Sequence, residues 1–258
     1  MQNGQLSGKT AVVVGASSGI GLATANLFAD EGALVHAAAR RREAIEEGVG
    51  ERVGSGRVKA HELDVSDAGA VERAIGEIGS AGGIDVLVCA AGTNVPGRRL
   101  GQLSTEDWDG ILSVNLSGAF YCVKTALPHL REARGLVILV SSVSGAWPDM
   151  SGPAYQASKA GMTELAHAAG FEEHQRGVRF SAVLPGIVDT PILDNRPEPP
   201  PREVRERSLK PEDVAQACFF LAALPERAYV PELTILPTEI QALGKTSTAT
   251  PPVAPGEE

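Results

Sequence analysis

Thr10-Ala11-Val12-Val13-Val14-Gly15-Ala16-Ser17-Ser18-Gly19-Ile20-Gly21 decides how this chain folds. Its first five residues are apolar and largely β-branched, as in a strand buried on both faces of a parallel sheet. Helix formers follow over 22–31. A strand that passes through glycines into a helix builds an anion site. The glycines admit a tight turn and close backbone approach, and the free N–H groups and dipole of the helix face a phosphate. Gly15, Ser17, Ser18, Gly19 and Ile20 are the candidate contacts.

Outward from this loop, the stretches 34–38, 58–63, 86–90, 136–140, 178–184 and 232–236 read as further strands. Helical stretches are expected between them, from 43 onward and over 68–78, 108–131, 154–175 and 211–224. The 258 residues fit one large α/β domain over 1–244, and the small, polar, proline-rich stretch 245–258 is expected to be disordered. A formal charge of −9 without a basic run gives nucleic-acid binding no electrostatic footing. No apolar stretch approaches the ~20 residues of a membrane span, and the segment 1–9 has no charged-then-apolar leader. A cytoplasmic protein is the expectation. Cys89, Cys122 and Cys218 read as reduced core thiols, and the five histidines lack metal-ligand spacing, so no metal is expected.

The chemistry concentrates in Ala154-Tyr155-Gln156-Ala157-Ser158-Lys159. On a helix, Tyr155 and Lys159 share a face, and an ammonium beside a phenol favours the phenolate, drawing its pKa of ~10 toward the working range. Ser142 follows the strand 136–140, at the sheet end where ligands bind, and its hydroxyl can polarise a substrate carbonyl. Ser141 and Ser144 read as turn formers. Asn115 lies inside an expected helix, where its side chain needs a partner.

The Gly-x-x-x-Gly-x-Gly loop, Asn115, Ser142 and Tyr-x-x-x-Lys, in this order, resemble the short-chain dehydrogenase/reductase family in its single-domain branch, over about 8–243. The resemblance implies a doubly wound Rossmann sheet of about seven parallel strands in the order 3-2-1-4-5-6-7, and hydride transfer between a nicotinamide and a carbonyl or alcohol. It assigns Tyr155 as acid/base, Lys159 to the phenol and the nicotinamide ribose, Ser142 to the carbonyl, and Asn115 to a proton-relay water. Asp64 and Val65 would meet the adenine, Ala91 and Gly92 the cofactor, and Pro185, Gly186, Val188 and Thr190 the nicotinamide and its amide. Val14 stands at the family's usual threonine, and Cys89-Ala90-Ala91-Gly92 at its Asn-Asn-Ala-Gly.

At the end of the second strand, Ala39 occupies the place of a ribose-binding acid, and Arg40 follows, with Arg41 second in line to reach a 2′-phosphate. NADP(H) is therefore expected over NAD(H). Trp147-Pro148 and the ending 224–238 resemble a subgroup acting on 3-hydroxy acids, serine-like compounds and small aldehydes or ketones. By that resemblance Trp147, Ser142 and Tyr155 face the substrate. The proline- and charge-rich segment 191–210 reads as a lid. Its arginines 196, 202, 205 and 207 are read as solvated surface, with a carboxylate clamp as the other reading. Family members are often homo-tetramers or homo-dimers, so an oligomer is expected. A 3-oxoacyl (acyl-carrier or polyketide) reductase shares every motif, and a non-catalytic NADP(H)-binding regulator shares the fold.

Overall fold

A computed structural model describes residues 4–242; the expected tail 245–258 lies outside the described residues. The strands are β1 Thr10–Val14, β2 Leu34–Ala39, β3 Val58–Glu62, β4 Val86–Cys89, β5 Leu136–Val140, β6 Arg179–Pro185 and β7 Glu232–Ile235. They pair in parallel in the order β3-β2-β1-β4-β5-β6-β7, as the family resemblance implies.

The helices are α1 Gly19–Asp30, α2 Arg42–Val49, α3 Glu51–Gly54, α4 Ala68–Gly82, α5 Thr105–Leu112, α6 Gly118–Ala133, α7 Pro153–Glu173, α8 Arg202–Arg207 and α9 Pro211–Ala223. Strand periodicity of two divides each central strand between two cores. Ala11 and Val13 join Phe28, Ile45, Val214 and Leu221 under α1, α2 and α9. Val12 and Val14 join Val71, Ile75, Leu130 and Met162 under α4, α6 and α7. Both faces are covered, which is why the strands read as unbroken apolar runs.

The helix expected over 108–131 is not one α-helix. Its turn Ser113–Ser117 is π-helical, separating α5 from α6. Such one-turn π segments mark places where a side chain must be re-aimed, and Asn115 is at the centre of this one. The segment 191–210 contains a 3₁₀ turn, Pro191–Asn195, and then α8. Chain order reverses between β1 and β4, so the carboxyl ends of these strands open the crevice where doubly wound folds bind ligands.

Candidate active site

The glycine loop leaves β1 with the Gly15 N–H donating to Ala38 O at 2.8 Å. Gly15 has φ +85°, and a Cβ there would lie 2.4 Å from the Ala91 backbone nitrogen, so only glycine lets the loop lie against the end of β4. Ser17 and Ser18 follow. Ser18 stands before α1 in extended backbone, its side chain makes no capping hydrogen bond, and the first turn of α1 carries no acid. The N–H groups of that turn therefore lack the side-chain acceptor that usually caps them. Gly19, at φ +54°, packs against Thr190, and Ile20 reaches the cavity described below. These features fit a dinucleotide phosphate.

Around that anion site stand the other residues expected at the cofactor. Arg40 and Arg41 are exposed just beyond β2. Asp64 accepts from both the N–H and the hydroxyl of Ser66, which holds its carboxyl below the usual range, and the Arg40 charge adds to the effect. Asp67, not Asp64, caps α4, accepting from Ala70 N–H at 3.0 Å. Val65 is buried against Gly118 at the start of α6. A Cβ on Gly92 would stand 3.6 Å from Lys159 Nζ and 3.7 Å from Asn115 Oδ1, ordinary contact distances that put both groups beside this glycine.

A cavity of about 1090 Å³ opens at the carboxyl ends of β5 and β6. Ser142, Tyr155, Pro185, Gly186, Val188 and Thr190 line it. Trp147 does not. The 3₁₀ turn Val143–Gly145 sends the Trp147 N–H back to Val143 O at 2.8 Å, and the half-buried indole packs on the core under α7 instead. Its expected role at the substrate is not what the structure shows.

Asn115 is fully buried and its amide is saturated by protein: Oδ1 accepts from Thr93 N–H at 2.7 Å, and Nδ2 donates to Thr93 O at 3.1 Å and to Ser158 Oγ at 3.0 Å. It thereby ties the strand-end loop after β4 to α7. Ser141 is more than a turn former. Its hydroxyl donates to Lys159 O at 2.8 Å and accepts from Thr163 Oγ1 at 2.9 Å, fixing the end of β5 against α7. Ser142 donates to Ser144 Oγ at 3.2 Å, and Ser144 donates to the Asp149 carboxylate at 2.5 Å.

Lys159 is 4 % exposed, with Nζ 5.8 Å from the Tyr155 ring centre and donating to Val140 O at 2.8 Å. Burial pushes its pKa down to about 8. Tyr155 lines the cavity, and desolvation pushes its phenol up to about 12. Ser142, Arg196 and Arg98 oppose that rise. Burial thus raises the phenol where the ammonium one turn along is expected from sequence to lower it, and the amine donates to a backbone carbonyl.

Three further residues belong to the site. Arg98, 7 % exposed, donates to Val95 O at 2.9 Å and to Asn195 O at 2.7 Å. Gln241 Oε1 accepts from Ile187 N–H at 2.6 Å, holding the loop after β6, and a Cβ on Gly186 would collide with that oxygen. Asp149 also accepts from Ser151 N–H at 2.7 Å. All three sit in loops whose local sequence carries no periodic signal. Cys89, Cys122 and Cys218 are free and buried, as expected, and no group of metal ligands occurs among the described residues. His167 lies beside Glu164 and Glu232. Among the described residues no helix is long and apolar enough to cross a membrane.

The family model described as short chain dehydrogenase matches residues 9–200. The chain is 36% identical over 225 residues to a meso-2,3-butanediol dehydrogenase of Serratia marcescens, covering 83% of this chain and 87% of that one. It is 36% identical over 238 residues to a 3-oxoacyl-[acyl-carrier-protein] reductase of Thermotoga maritima, covering 88% and 94%. An alcohol dehydrogenase of the archaeon Thermococcus sibiricus, solved with 5-hydroxy-NADP, superposes with a TM-score of 0.81 at 30% identity, covering 91% of this chain and 98% of that one. A phosphate-ready glycine turn, a serine, tyrosine and lysine gathered at the ends of β5 and α7, and matches of this extent have one reading: the chain is an oxidoreductase of the short-chain dehydrogenase/reductase family.

Proposed function

We propose that this protein transfers a hydride between NADP(H) and a small carbonyl or alcohol, a short-chain aldehyde, ketone or 3-hydroxy acid, with Tyr155 as the proton donor and acceptor. The observation that carries the reading is that Ser142 and Tyr155 line one cavity beside the glycine turn, with Lys159 buried next to the Tyr155 ring. When bound, the dihydronicotinamide supplies the hydride. The protein's part is the proton and the positioning. Ser142 and Tyr155 line the cavity, so a carbonyl oxygen between their hydroxyls accepts from both. As negative charge develops on that oxygen, the Tyr155 hydroxyl gives up its proton. A phenol near 12 is fully protonated at neutral pH and is ready for reduction. In oxidation the same group must first lose its proton. Lys159, beside the ring, supplies the positive charge that stabilises the resulting phenolate, and by the family resemblance it would also hold the nicotinamide ribose. Asn115 holds the strand-end loop and α7 in register.

Arg40 supports NADP(H). It is exposed at the end of β2 and its charge reaches Asp64, so a 2′-phosphate there meets a guanidinium rather than a carboxylate. The similarity to an acyl-carrier-protein reductase favours a second reading, reduction of 3-oxoacyl intermediates, which assays with free and carrier-bound substrates separate. A regulator without turnover has no use for a buried proton donor. Exposed Phe120 on α6 and Phe171 on α7 support a homo-oligomer, dimer or tetramer, built on these helices. The test is NADPH consumption against aldehydes, ketones and 3-oxo acids. Arg40→Asp is expected to lower kcat/KM for NADPH by about 10- to 100-fold, as loss of a charge-assisted pair does, and to narrow the preference over NADH. An unchanged preference contradicts the cofactor assignment.

A further inference from the structure

Four arginines stand on the segment over the cavity, and three of them are occupied. Arg202 pairs with Glu206 at 2.6 Å, Arg205 with Asp189 at 3.4 Å and with Asp194, and Arg207 with Glu239 at 2.6 Å. The Arg196 guanidinium makes no hydrogen bond or ion pair with any described residue; only the residue's backbone N–H is engaged, donating to Leu193 O at 3.2 Å. It is half-buried, and it lines the cavity together with Tyr155 and Ser142. Burial disfavours its charge, and the Tyr155 hydroxyl and Asp149 lie close enough to act on it. An unpaired guanidinium in a partly dehydrated wall is costly unless something arrives to pair with it.

Its placement is built rather than incidental. Arg98 spends its own donors on the carbonyl of Asn195, the residue preceding Arg196, and on Val95 O. Asn195 Nδ2 in turn donates to Asn94 O at 3.4 Å. Two strand-end loops are thus fastened together with Arg196 left facing inward. The carboxylate across the cavity, Asp149, already accepts from Ser144 and Ser151 and is not within ion-pair distance of Arg196. Glu198 lines the mouth but is exposed. In a chain of net charge −9, Arg98, Arg99 and Arg196 line this cavity, as do Asp149 and Glu198.

We propose that Arg196, positioned by Arg98, binds a carboxylate on the substrate, so that the enzyme acts on short oxo acids and hydroxy acids in preference to neutral ketones and alcohols. This rests on the redox reading above and names its substrate class. A planar guanidinium with free donors takes a carboxylate through two parallel hydrogen bonds, fixing orientation as well as affinity. The carbonyl is then presented to Tyr155 and Ser142 at the other end of the molecule.

The test compares acetoacetate with methyl acetoacetate as oxidants of NADPH, for the wild type, Arg196→Gln and Arg196→Lys. The wild type is expected to favour the acid in kcat/KM. Arg196→Gln is expected to reduce the acid-to-ester ratio by about 10- to 100-fold, the range for a hydrogen-bonded charge, and Arg196→Lys to restore part of it. The ratio cancels any general damage to the site. In parallel, calorimetry measures 3-hydroxybutyrate binding to the NADP⁺-loaded protein. An acid-to-ester ratio that Arg196→Gln leaves unchanged overturns the carboxylate site while leaving the redox reading intact. Arg196-dependent binding of 3-hydroxybutyrate without turnover of either ketone upholds the site and overturns the redox reading. No turnover and no Arg196-dependent binding overturn both.

Discussion

Burial moves the two partners of the Tyr155–Lys159 pair in opposite directions, the phenol up to about 12 and the amine down to about 8. Each moves toward its neutral form, as desolvation requires. The two reaction directions should therefore respond differently to pH. Reduction needs a protonated Tyr155 and a charged Lys159, so its rate is expected to be level through neutral pH and to fall above about 8, where Lys159 loses its proton. Oxidation needs the phenolate, so its rate is expected to climb with pH through the neutral range. Initial-rate profiles in both directions check this. A reduction rate that holds constant to well above 8, in an otherwise stable enzyme, contradicts the role given to Lys159.

At the scale of elements, the site depends on how closely the turn after β5 lies against α7. Gly145 is the closest point: a Cβ there would stand 2.7 Å from Lys159 C and 2.8 Å from Ala160 N. Backbone cannot yield as a side chain does. Gly145→Ala is expected to cost about 1–3 kcal/mol through overpacking, and to lower Tm by about 2–4 °C per kcal/mol. Thermal unfolding measures it, and an unchanged Tm contradicts the packing described. A second device joins β2 to β3. His36 Nδ1 and His61 Nε2 lie 2.9 Å apart with the rings stacked, and burial, then the His61 charge, pushes His36 down to about 4. Because the unfolded chain binds this proton more readily, His36 contributes stability that is present above its ordinary pKa of 6.5 and is lost as pH falls toward about 4. Urea unfolding should show a stability loss between neutral pH and pH 5 that is shallower in His36→Gln. Equal slopes would remove the histidine pair as its source.

Across the whole molecule, what was legible in the sequence is what a short stretch can encode. Val12 and Val13 declare a doubly covered strand, Gly15 and Gly19 a loop needing positive φ, and Tyr155 with Lys159 one helix face. Those signals carry the family resemblance, and it is the resemblance that implies the sheet order and brings the serine, tyrosine and lysine together. What stayed hidden depends on contacts between distant segments. Arg98 meets Asn195 across 97 positions, and Gln241 meets Ile187 across 54. The Asn115 amide, at the centre of the π turn, is held by Thr93 and Ser158, which no local pattern announces. The pKa of Tyr155 escaped sequence reasoning for the same reason, since dehydration is a property of the assembled cavity wall. The account stands on one claim, that Tyr155 gives its proton to a carbonyl in a cavity built beside the glycine turn. The measurement that meets it most directly is steady-state NADPH oxidation by Tyr155→Phe beside the wild type, with NADPH affinity followed separately by fluorescence. The account predicts a fall in kcat/KM of about 10²- to 10⁴-fold with NADPH binding retained; turnover at the wild-type rate would contradict it.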